Sequence, residues 1–276
     1  MSFENPRGGT LDYRLCRYGK SKLLLRGPRR KLEGNFVAAL GGSETYGKFV
    51  TEPWPELLER QMGMPVVNFG YPNAGPDVFL NEPTLIEAAG RARATVVQLT
   101  GAQNLSNRFY TVHPRRNDRF VHASATMRAL FPAIDFAEFH FTGHMLGTLK
   151  AASPERFDMI EGELKAAWVA RMRQLLDRIE GRTVLLWLTD HRPAAAADPL
   201  GPAPHLVDED MVGAIRPFAA DLVRVDPSAR ARAAGTGGMV FAPLEEPAAR
   251  QTAGPAVHEQ VAAELLPALS GLICQD

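Results

Sequence analysis

The stretch ALGGSETYG, Ala39 to Gly47, places one serine, Ser43, behind a Gly-Gly turn that closes an apolar run. A serine hydroxyl attacks an acyl carbon only when a base takes its proton, and a histidine of near-neutral acidity suits that work. His258, at the head of the last apolar segment, is the candidate base. Two polar clusters lie between them: Asn73 and Gly75 in NFGYPNAGPD, and Gln103 and Asn104 in TGAQN. Backbone amides and carboxamides stabilise the oxyanion of acyl transfer by about 3–4 kcal/mol per donor. Each residue also has a plain structural reading. Ser43 fits a helix N-cap after a glycine turn, His258 fits the first turn of a helix, and the Asn and Gly residues fit ordinary turns.

Two further clusters carry other chemistry. In HPRRNDRF, His113, Arg115 and Arg116 are suited to a sulfate, phosphate or carboxylate through bidentate contacts, or form a solvated face. His140 and His144 have the i,i+4 spacing of a helical metal pair, but Gly143 between them disfavours a helix and no third ligand is evident. No metal and no cofactor is therefore expected. Lys and Arg total 31 and Asp and Glu 31, so no global charge favours nucleic acid or an anionic membrane. Two cysteines, Cys16 and Cys274, near opposite ends, form no disulfide framework. The opening MSFENPRGGT lacks the basic and apolar regions of an export signal, and no apolar run reaches membrane-spanning length; a cytoplasmic protein is expected.

These side chains need a scaffold that brings distant loops together. Five short apolar runs alternate with helical stretches, the pattern of a parallel sheet covered on both faces. The runs are Asn35 to Gly41, Pro65 to Gly70, Ala94 to Gly101, Arg182 to Asp190 and Asp221 to Asp226. Helices are expected over Pro53–Gln61, Val78–Gly90, about Pro154–Ile179, about Asp208–Ala220, and from near His258 onward. Leu164, Trp168, Met172, Leu175, Leu176 and Ile179 share one face of the long middle helix. Ligands bind outside the C-terminal ends of such strands. Ser43 follows the first run, Asn68, Asn73 and Gly75 the second, Gly101, Gln103 and Asn104 the third, and Asp190 and His191 the fourth.

The segment from about 103 to 153 is too long for a simple connection and reads as an inserted cap, rich in arginine and holding four of the seven histidines. Residues 1–34 form a basic extension packing on the domain formed by 35–276. Both basic segments are suited to line a site for an anionic ligand. The Ala- and Pro-rich stretches RPAAAADPLGPAPH and PSARARAAGTGG read as loops.

The order of these blocks resembles the SGNH hydrolase superfamily, the GDSL esterases and lipases, as a divergent bacterial member. GGSETYG is similar to block one, NFGYPNAGPD to block two, TGAQN to block three and PAVHEQVAAELL to block five, covering Asn35 to about Leu269. The resemblance implies a flavodoxin-like three-layer α/β/α sandwich, with Ser43 as nucleophile and His258 as base. It implies an oxyanion hole from Ser43, Asn73 or Gly75, and Gln103 or Asn104. The departures are Gly42 where the family has aspartate and Pro255 where it has the acid three residues before the histidine. Asp190, Asp226, Glu245 and Glu246 are the candidates to orient His258 instead. The expected activity is ester hydrolysis on a polar or anionic small molecule or carbohydrate. The alternatives are a non-hydrolytic binding protein for an anion, with affinity from the arginine-rich insertion, or acyl or sulfuryl transfer on the same scaffold.

Overall fold

The computed structural model describes residues 11–192 and 198–274. The first ten residues, read above for an export signal, and residues 193–197 of the Ala/Pro loop lie outside them. Five strands, β1 (Val37–Leu40), β2 (Val66–Asn68), β3 (Ala94–Gln98), β6 (Thr183–Leu188) and β7 (Asp221–Val225), form one sheet in the order β2-β1-β3-β6-β7. Every neighbouring pair is parallel, with Val37 opposite both Val66 and Ala94, Thr95 opposite Thr183 and Val184 opposite Asp221. A second, two-stranded antiparallel sheet is formed by β4 (Tyr110–His113) and β5 (Arg116–Ala123).

Helices cover both faces of the main sheet, so its central strands read as unbroken apolar runs instead of alternating patterns. The helices are α1 (Ser43–Tyr46), α2 (Trp54–Met62), α3 (Pro76–Leu80), α4 (Pro83–Gly90), α5 (Ala125–Leu130), α6 (Thr142–Ala152) and α7 (Pro154–Arg178). They continue with α8 (Glu209–Ile215), α9 (Ala229–Ala234), α10 (Glu246–Ala249) and α11 (Pro255–Ile273). Val37, Ala39, Val96, Val184 and Leu186 pack with Trp54 and Leu58 of α2 and Val261, Leu265 and Leu269 of α11. Ala38, Leu40, Val97 and Leu185 face the other way, onto Leu85 of α4, Trp168 and Met172 of α7 and Ile215 of α8. The result is a three-layer α/β/α sandwich with the flavodoxin-like strand order. Among the described residues, no helix is long and apolar enough to cross a membrane.

Two expected helices are shorter than their periodicity suggested, each for a proline. Val78–Gly90 divides at Glu82, because Pro83 has no N–H to continue α3 and instead begins α4 at its first position. Beyond Ile215, Pro217 breaks the α-helical ladder and a single 3₁₀ turn, Arg216–Phe218, replaces it.

The basic segment before β1 is tied down by its charges. Arg26 is only 5% exposed. It donates to the carbonyls of Tyr46, Gly47, Val50 and Thr51 at 2.6–3.3 Å and to Glu56 at 3.2 Å. Arg30 pairs with Glu59. The expectation that this segment lines an anion site is therefore corrected for Arg26 and Arg30, whose guanidinium groups are spent on the turn after α1 and on α2.

Candidate active site

A cavity of about 810 Å³ opens at the C-terminal ends of the parallel strands. Its wall collects Gly42, Ser43 and Glu44 after β1, Asn73 and Ala74 after β2, and Gln98 to Gly101 with Gln103 and Asn104 around the end of β3. Leu188, His191 and Arg192 follow from β6, and Gln251 and Thr252 from the turn before α11.

The N-cap of α1 is Gly42, not Ser43, and Ser43 is the first residue of the helix. Its hydroxyl is not used as a cap. Instead Ser43 Oγ accepts the Asn73 N–H at 3.1 Å and donates to Asn73 Oδ1 at 3.2 Å. Asn73 has φ +55°, the left-handed region that favours glycine and that asparagine tolerates best among other residues. The strained turn aims its backbone N–H at the serine oxygen. Gly75 has a different task. A side-chain carbon there would lie 1.8 Å from the Asn104 carbonyl oxygen, so the loops after β2 and β3 approach as closely as they do only over a glycine. Its N–H is committed to Asn117 Oδ1 at 3.1 Å, and the expectation that it serves Ser43 is corrected on that ground.

Asn104, not Gln103, reaches this corner. Its Nδ2 donates to the Asn73 carbonyl at 3.2 Å, and its Oδ1 accepts the Thr142 hydroxyl at 2.8 Å. Thr142 thus fixes which way the carboxamide faces. Gln103 also lines the cavity, with Oε1 buried and unpartnered and its backbone carbonyl taken by the Tyr110 hydroxyl at 2.7 Å. The loop is held from below by Trp168 of α7, whose Nε1 donates to the Thr100 carbonyl at 2.8 Å.

Gln98, at the buried end of β3, organises the serine turn. Its Oε1 accepts from Gly42 N at 3.1 Å, Thr45 N at 3.2 Å and Thr45 Oγ1 at 2.6 Å, while its Nε2 donates to Glu44 Oε2 at 2.9 Å. Sequence reasoning missed Gln98 and Glu44. The available signal was a polar side chain closing an otherwise apolar strand, where burial demands partners.

His258 does not come to the cavity. It lies in the first turn of α11, 1% exposed, with Nδ1 accepting the Trp54 N–H at 3.1 Å and Nε2 buried without a hydrogen bond. Burial foremost, then the charges of His191 and Arg26, push it down to about 3, the Ala253 backbone offsetting them in part. None of its four candidate orienting acids reaches it. Asp190 pairs with Arg192, Asp226 with Arg224 and Thr189, Glu246 with Arg250, and Glu245 accepts from Ala242 N.

Two other histidines line the cavity. His191 is 6% exposed, with Nε2 3.3 Å from the Gln251 carbonyl and 4.0 Å from Glu44 Oε1. His205 has Nδ1 3.1 Å from the Gly201 carbonyl and Nε2 3.6 Å from Asp198 Oδ2. Its pKa is lowered by burial, with the Asp198 carboxylate working the other way. Arg192, 5% exposed, bonds Asp190, Asp198, Gln251 and the Gly201 carbonyl. Burial works against the Asp190 carboxylate, but Arg192 holds it below the usual carboxylate range.

His113, Arg115 and Arg116 sit at the β4–β5 turn and line no part of this cavity. His113 Nδ1 accepts the N–H groups of Arg115 and Arg116, both exposed, at 3.2 Å each. Their placement as ligand-binding residues over the strand ends is corrected, because the hairpin folds beside the β2 loop through Asn117. His140 precedes α6 and His144 lies inside it, so the two do not share a helix. Among the described residues, no group of three or more His, Cys, Asp or Glu is placed to hold a metal.

Comparison with solved structures finds similar backbones at low identity. A carbohydrate esterase family 2 enzyme with a carbohydrate-binding domain, from Myceliophthora fergusii, is 12% identical, with 90% of this chain and 69% of that one covered and a TM-score of 0.45. A catalytic mutant of an acetylxylan esterase from Geobacillus stearothermophilus is 11% identical over 86% and 94% of the two chains, at 0.43. An alpha/beta hydrolase enzyme from the metagenome of Lake Arreo, Spain, is 11% identical over 87% and 96%, also at 0.43. Likenesses this distant say nothing of substrate. No curated protein sequence matches the chain. The model of the family DUF6473, described as a domain of unknown function, matches residues 1–273, and the chain belongs to that family.

Proposed function

We propose that the chain is a serine hydrolase of the esterase type, in which Ser43 attacks the carbonyl carbon of a polar ester. The observation that supports this reading is the corner at Ser43. A serine at the first position of a helix has its Oγ held by the N–H of a left-handed Asn73, beside a carboxamide, Asn104, whose orientation Thr142 fixes. Attack turns the ester carbonyl oxygen into an oxyanion. The Ser43 N–H, one of the unpaired amides at a helix start, and the second hydrogen of Asn104 Nδ2 are the donors for it, and the Asn73 N–H joins them once Ser43 Oγ, which it holds in the free site, has bonded to the carbonyl carbon. The cavity wall is polar, with Lys48, Glu44, Gln103, Asn104 and Thr252 among its residues, which suits a small polar ester or an esterified carbohydrate.

Anion binding by the insertion has less behind it, since Arg115 and Arg116 lie outside the cavity and the buried Arg192 is fully engaged. The test is intact-mass labelling with a fluorophosphonate, alongside turnover of p-nitrophenyl esters. Wild type is expected to gain one adduct, with loss of fluoride. Ser43→Ala is expected to gain none and to lose activity at least 10³-fold while keeping its melting temperature. Full turnover in a folded Ser43→Ala protein would sink the proposal.

A further inference from the structure

We propose that His191, backed by Glu44, is the general base and acid of this site, and that the histidine of the last helix is not. The inference rests on the serine-hydrolase reading and assigns the group which that reading needs.

The argument concerns ring lone pairs. A neutral imidazole has one N–H and one basic nitrogen, and only the basic nitrogen takes a proton from serine. In His258 that nitrogen is Nδ1, already occupied by the Trp54 N–H, and Nε2 must then carry the hydrogen. In His205 both nitrogens are turned to protein oxygens, the Gly201 carbonyl and the Asp198 carboxylate, so whichever one carries the lone pair is directed at one of those oxygens and not at Ser43. His113 lies in the hairpin with Nδ1 accepting two amides. His191 differs from all three. Its Nε2 faces two acceptors, the Gln251 carbonyl at 3.3 Å and Glu44 Oε1 at 4.0 Å, so the hydrogen sits on Nε2. Its basic nitrogen is Nδ1, which makes no hydrogen bond among the described residues, on a side chain that lines the same cavity as Ser43.

Glu44 supplies what Pro255 cannot. It follows Ser43 directly in the chain, and the Gln98 amide holds its Oε2 at 2.9 Å, leaving Oε1 toward the imidazole. A carboxylate at that distance stabilises the imidazolium that forms when serine loses its proton. The same Gln98 binds the amides of Gly42 and Thr45, so one side chain sets both the serine turn and the acid. Ser43 Oγ bonds Asn73 here and not His191, and the serine–base contact forms as substrate enters, as catalytic hydrogen bonds often do.

The reaction then balances. The Ser43 hydroxyl proton passes to His191 Nδ1 as the Oγ–carbon bond forms and the carbonyl electron pair moves to oxygen. Collapse of that intermediate breaks the bond to the alcohol oxygen, which leaves with the proton from Nδ1. Water repeats the sequence, with His191 taking its proton and returning it to Ser43, and the carboxylic acid departs.

The experiment measures the rate of fluorophosphonate adduct formation and kcat on a p-nitrophenyl ester for wild type, His191→Ala, Glu44→Gln and His258→Asn, each checked for folding by circular dichroism. His191→Ala is expected to slow both by roughly 10³-fold and to recover in part on adding imidazole, which a structural role would not produce. Glu44→Gln, which keeps the shape, is expected to cost roughly 10- to 100-fold in kcat, and it carries the test if His191→Ala does not fold. A labelled wild type with labelling unchanged in both of those variants overturns the assignment alone. So does loss of labelling confined to a folded His258→Asn. A folded wild type that takes no label and turns over no ester overturns the serine-hydrolase reading, and the base assignment with it.

Discussion

The two halves of the strand-end cavity are built differently. On the side of β1, β2 and β3, Ser43, Asn73 and Asn104 meet through short bonds between loops, each fixed by a backbone constraint: a helix start, a left-handed φ, a glycine under a carbonyl. On the side of β6 and α11, the histidine that opens the last helix has turned into the core, where Trp54 holds it. His191, Arg192 and Gln251 occupy the wall instead. The first half depends on main-chain geometry, which tolerates few residue types. The second depends on side-chain polarity, which other side chains in the same wall can supply. A proline in place of the acid before His258 is therefore compatible with a working site, provided a different wall residue takes up the proton.

The sharpest way to break the comparison is at the main-chain side. Asn104→Ala removes a donor from the corner, and kcat on a p-nitrophenyl ester is expected to fall 10²- to 10³-fold, about 3–4 kcal/mol of transition-state stabilisation, with KM little changed. Thr142→Val leaves the carboxamide in place but frees its orientation, and a loss of about tenfold or less is expected. A loss from Thr142→Val that persists undiminished when Asn104 is already alanine would mean that Thr142 acts on the fold of the loop and not through Asn104.

A smaller effect sharpens the other half. His258 is protonated below about 6.5 in an unfolded chain but only near 3 in the folded one. A group depressed on folding contributes stability that is whole above the unfolded pKa and drains as pH falls toward the folded one. Urea denaturation at pH 7 and pH 5 is expected to show a loss of about 2 kcal/mol attributable to this side chain. His258→Asn is expected to flatten the acid limb by that amount. An unchanged slope would mean that His258 is hydrated and titrates freely, contrary to its burial.

The same division explains what was legible in the sequence. The five sheet strands were readable because parallel strands covered on both faces must be continuously apolar, and the long α7 because Leu164, Trp168 and Met172 recur at helical spacing. Pro83 and Pro217 are as visible, but the apolar periodicity runs through both and hides their power to divide a helix. Around the cavity, Ser43, Asn73, Gly75 and Asn104 stood out because turn residues announce unusual backbone, although the task of Gly75 turned out to be close packing. Gln98 and Glu44 did not stand out, and His191 stood out only as a residue after the fourth run, since their partners lie tens of residues away and no spacing encodes them. The arginines of the β4–β5 turn misled for the converse reason. A charge cluster is conspicuous in sequence wherever it points, and register alone decides what it faces.

That last point yields the smallest expected effect. Arg115 and Arg116 are exposed, share the His113 ring nitrogen through their backbone amides, and lie outside the cavity wall. Replacing both side chains by alanine leaves those amide bonds intact. Stability is expected to stay within about 0.5 kcal/mol of wild type and kcat/KM within about twofold, for neutral and for anionic esters alike. The informative comparison is between the two ester classes in the double variant. A rise in KM of tenfold or more confined to the anionic ester would bring the hairpin back as a recognition element that acts on substrate from outside the cavity. Matched kinetics would leave selectivity to the wall residues between Lys48 and Gln251, where the side-chain half of the site is built.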